Sequence, residues 1–212
     1  ACGTARPPED FYIEGRPKID TIAFKYSIER GYTIKHLAVS KMNSNNIELR
    51  VHPVLIKLNS YLANLKGVRN GIEVETDLLG TLHIAGSGAG QEATASGLIS
   101  DLVHLANSNL NSSSNEIETI PEIIDFSSLS FQYYFYIEAE DIPGVMASIT
   151  SMFAQKKIGI ESIVQKENLK DNRVPIVIIS DPFMEKNHDE LVKNILNLNS
   201  VNKVRSIRIE SY

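Results

Sequence analysis

From Phe131 onward, strand-like and helix-like segments follow one another with few residues to spare, and this order restricts the fold more than any other feature. Alternating and β-branched runs predict strands at residues 133–138, 158–166, 174–180 and 204–210, and helical spacing predicts helices at 145–156 and 189–198. Asp171-Asn172-Arg173 supplies the turn between the two middle strands. Strand, helix, strand, strand, helix, strand is the ferredoxin-like succession.

The first half is patterned differently. A short strand at residues 11–14 ends at Gly15, and Ile19, Ile22 and Tyr26 mark a helix over 19–30, closed by Gly31. Residues 33–41 and 47–53 alternate on either side of Asn43-Ser44-Asn45-Asn46, as in a hairpin. A second pair, 71–76 and 80–84, flanks Asp77-Leu78-Leu79, and a helix is predicted over 94–106. The whole reads as α+β, with a mixed, largely antiparallel sheet and helices in the first half, followed by the βαββαβ segment. Residues 108–130, rich in Asn and Ser and broken by Pro121, have linker composition, which divides the chain into 1–107, 108–130 and 131–212.

Ala85-Gly86-Ser87-Gly88-Ala89-Gly90 lies between a strand and a helix, as a dinucleotide-binding loop would. Its spacing is G-x-G-x-G rather than G-x-G-x-x-G, and Asn107 to Asn115 is too polar for the second strand that must carry an acidic residue. The loop can therefore touch a cofactor without being its main cradle. Lys and Arg are scattered and the net charge is -5, which argues against nucleic acid as a partner. No apolar run is long enough to span a membrane and no signal-peptide pattern is present, so the chain reads as cytoplasmic. The single cysteine, Cys2, excludes an internal disulfide framework and a cysteine-cluster metal site. His36, His52, His83, His104 and His188 lack metal-ligand spacing, and Glu73 and Glu75 share one face of a strand as solvated carboxylates usually do. No metal site is expected, and residue order alone supports no Ser-His-Asp arrangement. Many antiparallel strands with open edges predict a homodimer or a higher homo-oligomer.

Glu138-Ala139-Glu140-Asp141-Ile142-Pro143-Gly144-Val145, with Ile160-Glu161-Ser162-Ile163-Val164-Gln165-Lys166, resembles the ACT domain, a regulatory module that binds amino acids. The first half is similar to the C-terminal part of the homoserine dehydrogenase catalytic region. Tyr12-Ile13-Glu14-Gly15, Gly31 to Lys35, Arg50 to Ile56, Leu62 to Asn70, and Gly86 to Gly90 followed by Thr94-Ala95-Ser96 carry that resemblance. It departs from the family pattern at Arg16-Pro17 and at Ala93.

The resemblance implies an NAD(P) cofactor touched by Gly88, Ala89 and Gly90, and the interconversion of L-homoserine and L-aspartate 4-semialdehyde. It implies L-threonine as effector, held near Asp141, Gly144, Val145 and Gln165. It also places the catalytic lysine, the substrate-binding carboxylates and the Rossmann domain upstream, with Ala1 to Thr4 as the end of the helix that bears the lysine. The stop signal of Gly3 and Pro7-Pro8 fits that placement, and a vector-derived tail is the alternative. Two functions stay open: part of a dehydrogenase, inactive alone, or a non-catalytic amino-acid-binding or oligomerisation module.

Overall fold

The computed structural model describes residues 11–15, 21–43, 45–107, 121–166 and 172–210. Its contacts divide the chain into two compact units, residues 1–57 with 119–212, and residues 58–118. This division differs from the one expected from composition, because strands on both sides of the expected linker share one sheet.

The larger unit is built on a long hairpin. Strands β2 (Tyr32–Asn43) and β3 (Asn46–Lys57) pair antiparallel from Tyr32↔Lys57 to Asn43↔Asn46. β3 runs four residues past Pro53, where the alternating pattern gives way to the buried run Val54-Leu55-Ile56. Three strands pair with β3 in parallel, each over two residues. They are β6 (Glu122–Ile123) at Asn46 and Ile47, β1 (Tyr12–Ile13) at Arg50 and Val51, and β11 (Val201–Ile209) at Val54 and Leu55. Helix α1 (Thr21–Glu29) precedes β2 and ends at Gly31, whose φ of 81° suits a glycine stop.

β11 also belongs to the βαββαβ segment, so the two sheets are one. Strands β7 (Ser130–Glu140), β8 (Ile160–Gln165) and β9 (Arg173–Ser180) join it in the order β11-β7-β9-β8, every pair antiparallel, the ferredoxin-like arrangement. Helices α3 (Val145–Gln155) and α4 (His188–Leu196) cover one face. Phe135, Ile137, Ile149, Phe153, Ile176, Ile178, Leu191 and Ile195 are wholly buried between them, as the 2-residue and helical periodicities require. Tyr134, Tyr136, Val177 and Ile209 project to the opposite face and pack with Tyr26 of α1. A two-residue strand, β10 (Phe183–Met184), pairs with the start of β7 and was too short to read from the sequence. Within the expected linker, residues 121–130 hold β6 and a 3-10 turn at Phe126–Ser128, capped by the Asp125 carboxylate accepting from Ser127 N–H at 3.0 Å.

The smaller unit holds a 3-10 turn (Leu62–Asn64), the hairpin β4 (Arg69–Thr76) and β5 (Gly80–Ser87), and helix α2 (Gln91–Asn107). α2 starts three residues before the predicted Thr94, directly after Gly90. It has no buried residue, and Leu98, Ile99, Leu102 and Val103 leave an exposed apolar stripe.

Among the described residues, no helix is long and apolar enough to cross a membrane, and no group of three metal-ligating side chains occurs. The expectations drawn from Ala1 to Thr4, Gly3, Pro7-Pro8 and Arg16-Pro17 lie outside the described residues.

Candidate functional site

The turn from β7 into α3 brings together all four residues singled out for an effector. Gly144 is the residue before α3 and has φ 92°, a conformation that side chains other than glycine disfavour, although a Cβ there would meet nothing within 4 Å. Glycine is thus required by the backbone and not by crowding. Asp141 N–H donates to Asn172 O at 3.0 Å, pinning the turn to the loop before β9. Gln165, at the end of β8, donates from Nε2 to Asp141 Oδ1 at 3.2 Å. Asp141, Gly144, Val145 and Gln165 line one open hollow of about 390 Å³, with Val174 and Ile176 as its apolar side. A helix start offers N–H donors to an anion, and the Asp–Gln pair offers both an acceptor charge and a neutral amide. That combination suits a small zwitterion.

Gly88, Ala89 and Gly90 lie in the smaller unit, where β5 passes into α2. Gly88 N–H donates to Val68 O at 2.7 Å, and a Cβ on Gly88 would come within 1.8 Å of Asn70 Nδ2, so a side chain there would require the exposed Asn70 side chain to move aside. Gly90 has φ 120°, and its carbonyl accepts from Thr94 N–H and Thr94 Oγ1, starting the helix. The loop therefore presents small residues and a helix end, as a cofactor contact needs. Glu92 in the first turn adds a negative charge that disfavours phosphate at this end.

A third site was not anticipated. Arg208 of β11 is nearly buried, yet it meets Glu185 through Nε at 3.0 Å and through Nη2, Glu14 through Nη1 at 2.6 Å, and the Tyr12 hydroxyl at 3.1 Å. The Tyr12 hydroxyl donates to Glu14, and the Tyr133 hydroxyl to Glu185. Rings of Tyr12, Phe126, Phe131 and Tyr133 surround the guanidinium at 5.0 to 5.8 Å. Burial opposes the charged form of Glu14, but the hydrogen bond and charge of Arg208 outweigh it and hold the carboxyl below its usual range. Burial likewise pushes the Tyr12 hydroxyl up to about 12, against the pull of Arg208. An open hollow of about 580 Å³ lies beside this cluster.

A second ion cluster backs it. Arg50, 2 % exposed, bonds Glu48 and Glu210, and Lys41 reaches Glu210 at 3.0 Å. Arg50 Nη1 also donates to His52 Nε2 at 2.7 Å, which forces that nitrogen to accept and leaves Nδ1–H to donate to Pro53 O at 3.2 Å. His52 is wholly buried and neutral; burial, with the charges of Arg50 and Arg208, lowers it to about 4. The Arg50 cluster ties β3 to Glu210, just past β11, and the Arg208 cluster ties β11 to β1 and Glu14, beside the two residue pairs of ladder that join β3 to β11.

The homoserine dehydrogenase family model matches residues 1–103. The chain is 32% identical to a homoserine dehydrogenase of Neisseria gonorrhoeae, over 100% of this chain and 51% of that protein. It is 33% identical to one from Pseudomonas aeruginosa, over 94% of this chain and 48% of that protein. A crystal structure of a homoserine dehydrogenase from Thiobacillus denitrificans superposes with a TM-score of 0.81 at 33% identity, covering 96% of this chain and 48% of that one. By sequence and by fold the chain belongs to the homoserine dehydrogenase family, and it spans about half the length of the curated relatives it matches.

Proposed function

We propose that this chain forms part of an NAD(P)-dependent homoserine dehydrogenase and that its βαββαβ segment is an ACT domain that senses an amino acid, L-threonine first among candidates. The observation that carries the sensing role is the convergence of Asp141, Gly144, Val145 and Gln165 on one hollow, in a sheet continuous with β3 of the family-matched region. The helix start receives the ligand carboxylate, Asp141 the ammonium, Gln165 orients both, and Val145 packs on the aliphatic part.

A bound nicotinamide cofactor would supply a hydride acceptor for the homoserine alcohol carbon, with the hydroxyl proton passing to a base from the rest of the dehydrogenase, to give the aldehyde. In this reading the chain contributes no catalytic residue. Ala89 and Gly90 bring backbone close to the uncharged carboxamide end of the cofactor, which fits the acidic first turn of α2 better than a phosphate would. The exposed stripe of α2 packs against the remainder of a dehydrogenase polypeptide, and open strand edges support a homodimer. A cytoplasmic location accords with this role.

Calorimetric titration of the 212-residue chain with L-threonine tests the sensing role. Binding that is lost in both Gly144→Trp and Gln165→Ala supports it. Binding untouched by either variant removes the hollow from consideration, and no binding of any amino acid removes the sensor.

A further inference from the structure

Residue order supported no nucleophile, base and acid in series, yet folding assembles one at the rim of the larger hollow. Ser206 Oγ lies 2.7 Å from His188 Nε2, and His188 Nδ1 lies 2.9 Å from Asp189 Oδ1. An ionised carboxylate can only accept, so Nδ1 carries its proton toward Asp189. In the neutral ring Nε2 is then a bare acceptor, and the Ser206 hydroxyl must donate to it. That is the one tautomer in which an imidazole can take a serine proton.

The ring is held in place by packing. His188 stacks on Tyr133 with centroids 4.4 Å apart and planes 19° from parallel, and its side chain is 14 % exposed. Ser206 sits on β11 two residues before Arg208, so both project from the same face of the strand, and both line the hollow. Lys186 lines it as well, which adds positive charge to the hollow. Asp189 is fully exposed, so water screens its charge and the Tyr133 stack does most of the orienting.

We propose that Ser206 is an activated nucleophile, with His188 as its base, and that the hollow accepts small carboxylic esters with good leaving groups. Ser206 Oγ bonds to the carbonyl carbon as its proton passes to His188 Nε2. The bond to the leaving oxygen breaks, and the departing alcohol takes that proton. Water then attacks the acyl-serine and gives a proton to His188, the acyl–Oγ bond breaks, and Ser206 recovers the proton as the acid departs. No metal, oxidant or reductant enters the balance.

The test incubates the 212-residue chain with p-nitrophenyl acetate. The expected result is a burst of nitrophenol close to one equivalent, with a single acetyl group on the peptide that contains Ser206. Ser206→Ala and His188→Gln each lower the rate by about 100-fold, with folding checked by circular dichroism, while Ser206→Cys keeps a burst. Asp189→Asn changes the rate by less than about 10-fold because its carboxylate is screened. An unchanged rate in Ser206→Ala, or acetyl found on Lys186 or another lysine in place of Ser206, overturns the proposal.

Discussion

His52 offers a pH test of the buried ion clusters. In the unfolded chain it takes up a proton near the ordinary imidazole value of 6.5, and in the folded chain only near 4. Between those values the unfolded state binds more protons, so stability is full above about pH 6.5 and falls as pH falls toward the folded value. The loss between about pH 7 and about pH 5 comes to ~2 kcal/mol, a ~30-fold change in the folding equilibrium. Glu14, held below its usual range, adds its own loss mainly at lower pH, so this window isolates the histidine. His52→Gln keeps an acceptor for Arg50 and a donor for Pro53 O but cannot titrate. Urea unfolding followed by circular dichroism, at several pH values, should show the decline in the parent chain and about 2 kcal/mol less of it in the variant. Equal slopes in the two proteins, or a parent chain more stable at the lower pH, would refute the reasoning.

Arg208→Met should cost about 3 kcal/mol in urea unfolding, since it strands Glu14 and Glu185 without their cation, and Arg208→Lys should recover little because an ammonium lacks the fork. Gly144→Ala should destabilise by about 1 to 2 kcal/mol although the space beside it is empty, because the strain lies in its φ; no measurable loss would contradict that. Gly88→Ala should cost less than about 1 kcal/mol in urea unfolding, because the exposed Asn70 side chain that its Cβ would meet can rotate away; a loss above about 2 kcal/mol would contradict that. The 212-residue chain alone should not oxidise homoserine with either nicotinamide cofactor; measurable turnover would place catalytic groups within it.

What the sequence disclosed followed the range of its signals. Pro143-Gly144 before an amphipathic run marks a helix start locally, and the strand that Gln165 ends follows from the βαββαβ order, so the elements around the smaller hollow are legible, while the choice of Asp141, Gly144, Val145 and Gln165 as ligand contacts rests on the resemblance. The Arg208 cluster is not legible. Glu14 lies 194 residues from Arg208 in sequence, and nothing in either segment encodes that β1 and β11 share the free edge of β3. The same blindness put a domain boundary across residues 108–130, where a polar run looked like a division although the strands around it make one sheet. Ser206 and His188 meet only because α4 starts over β11, and Asp189 was visible merely as the next residue. Pro53 is the converse case: a proline in an alternating run reads as a strand end, but β3 continues through it as a buried strand.

The most direct test of the account is homoserine-dependent reduction of NAD(P) by the native polypeptide that carries this sequence, captured from its cell and weighed intact. The expected result is a polypeptide larger than 23.6 kDa that turns over homoserine and responds to L-threonine. A native polypeptide of about that mass which binds an amino acid but transfers no hydride would contradict it and leave the sensor module in its place.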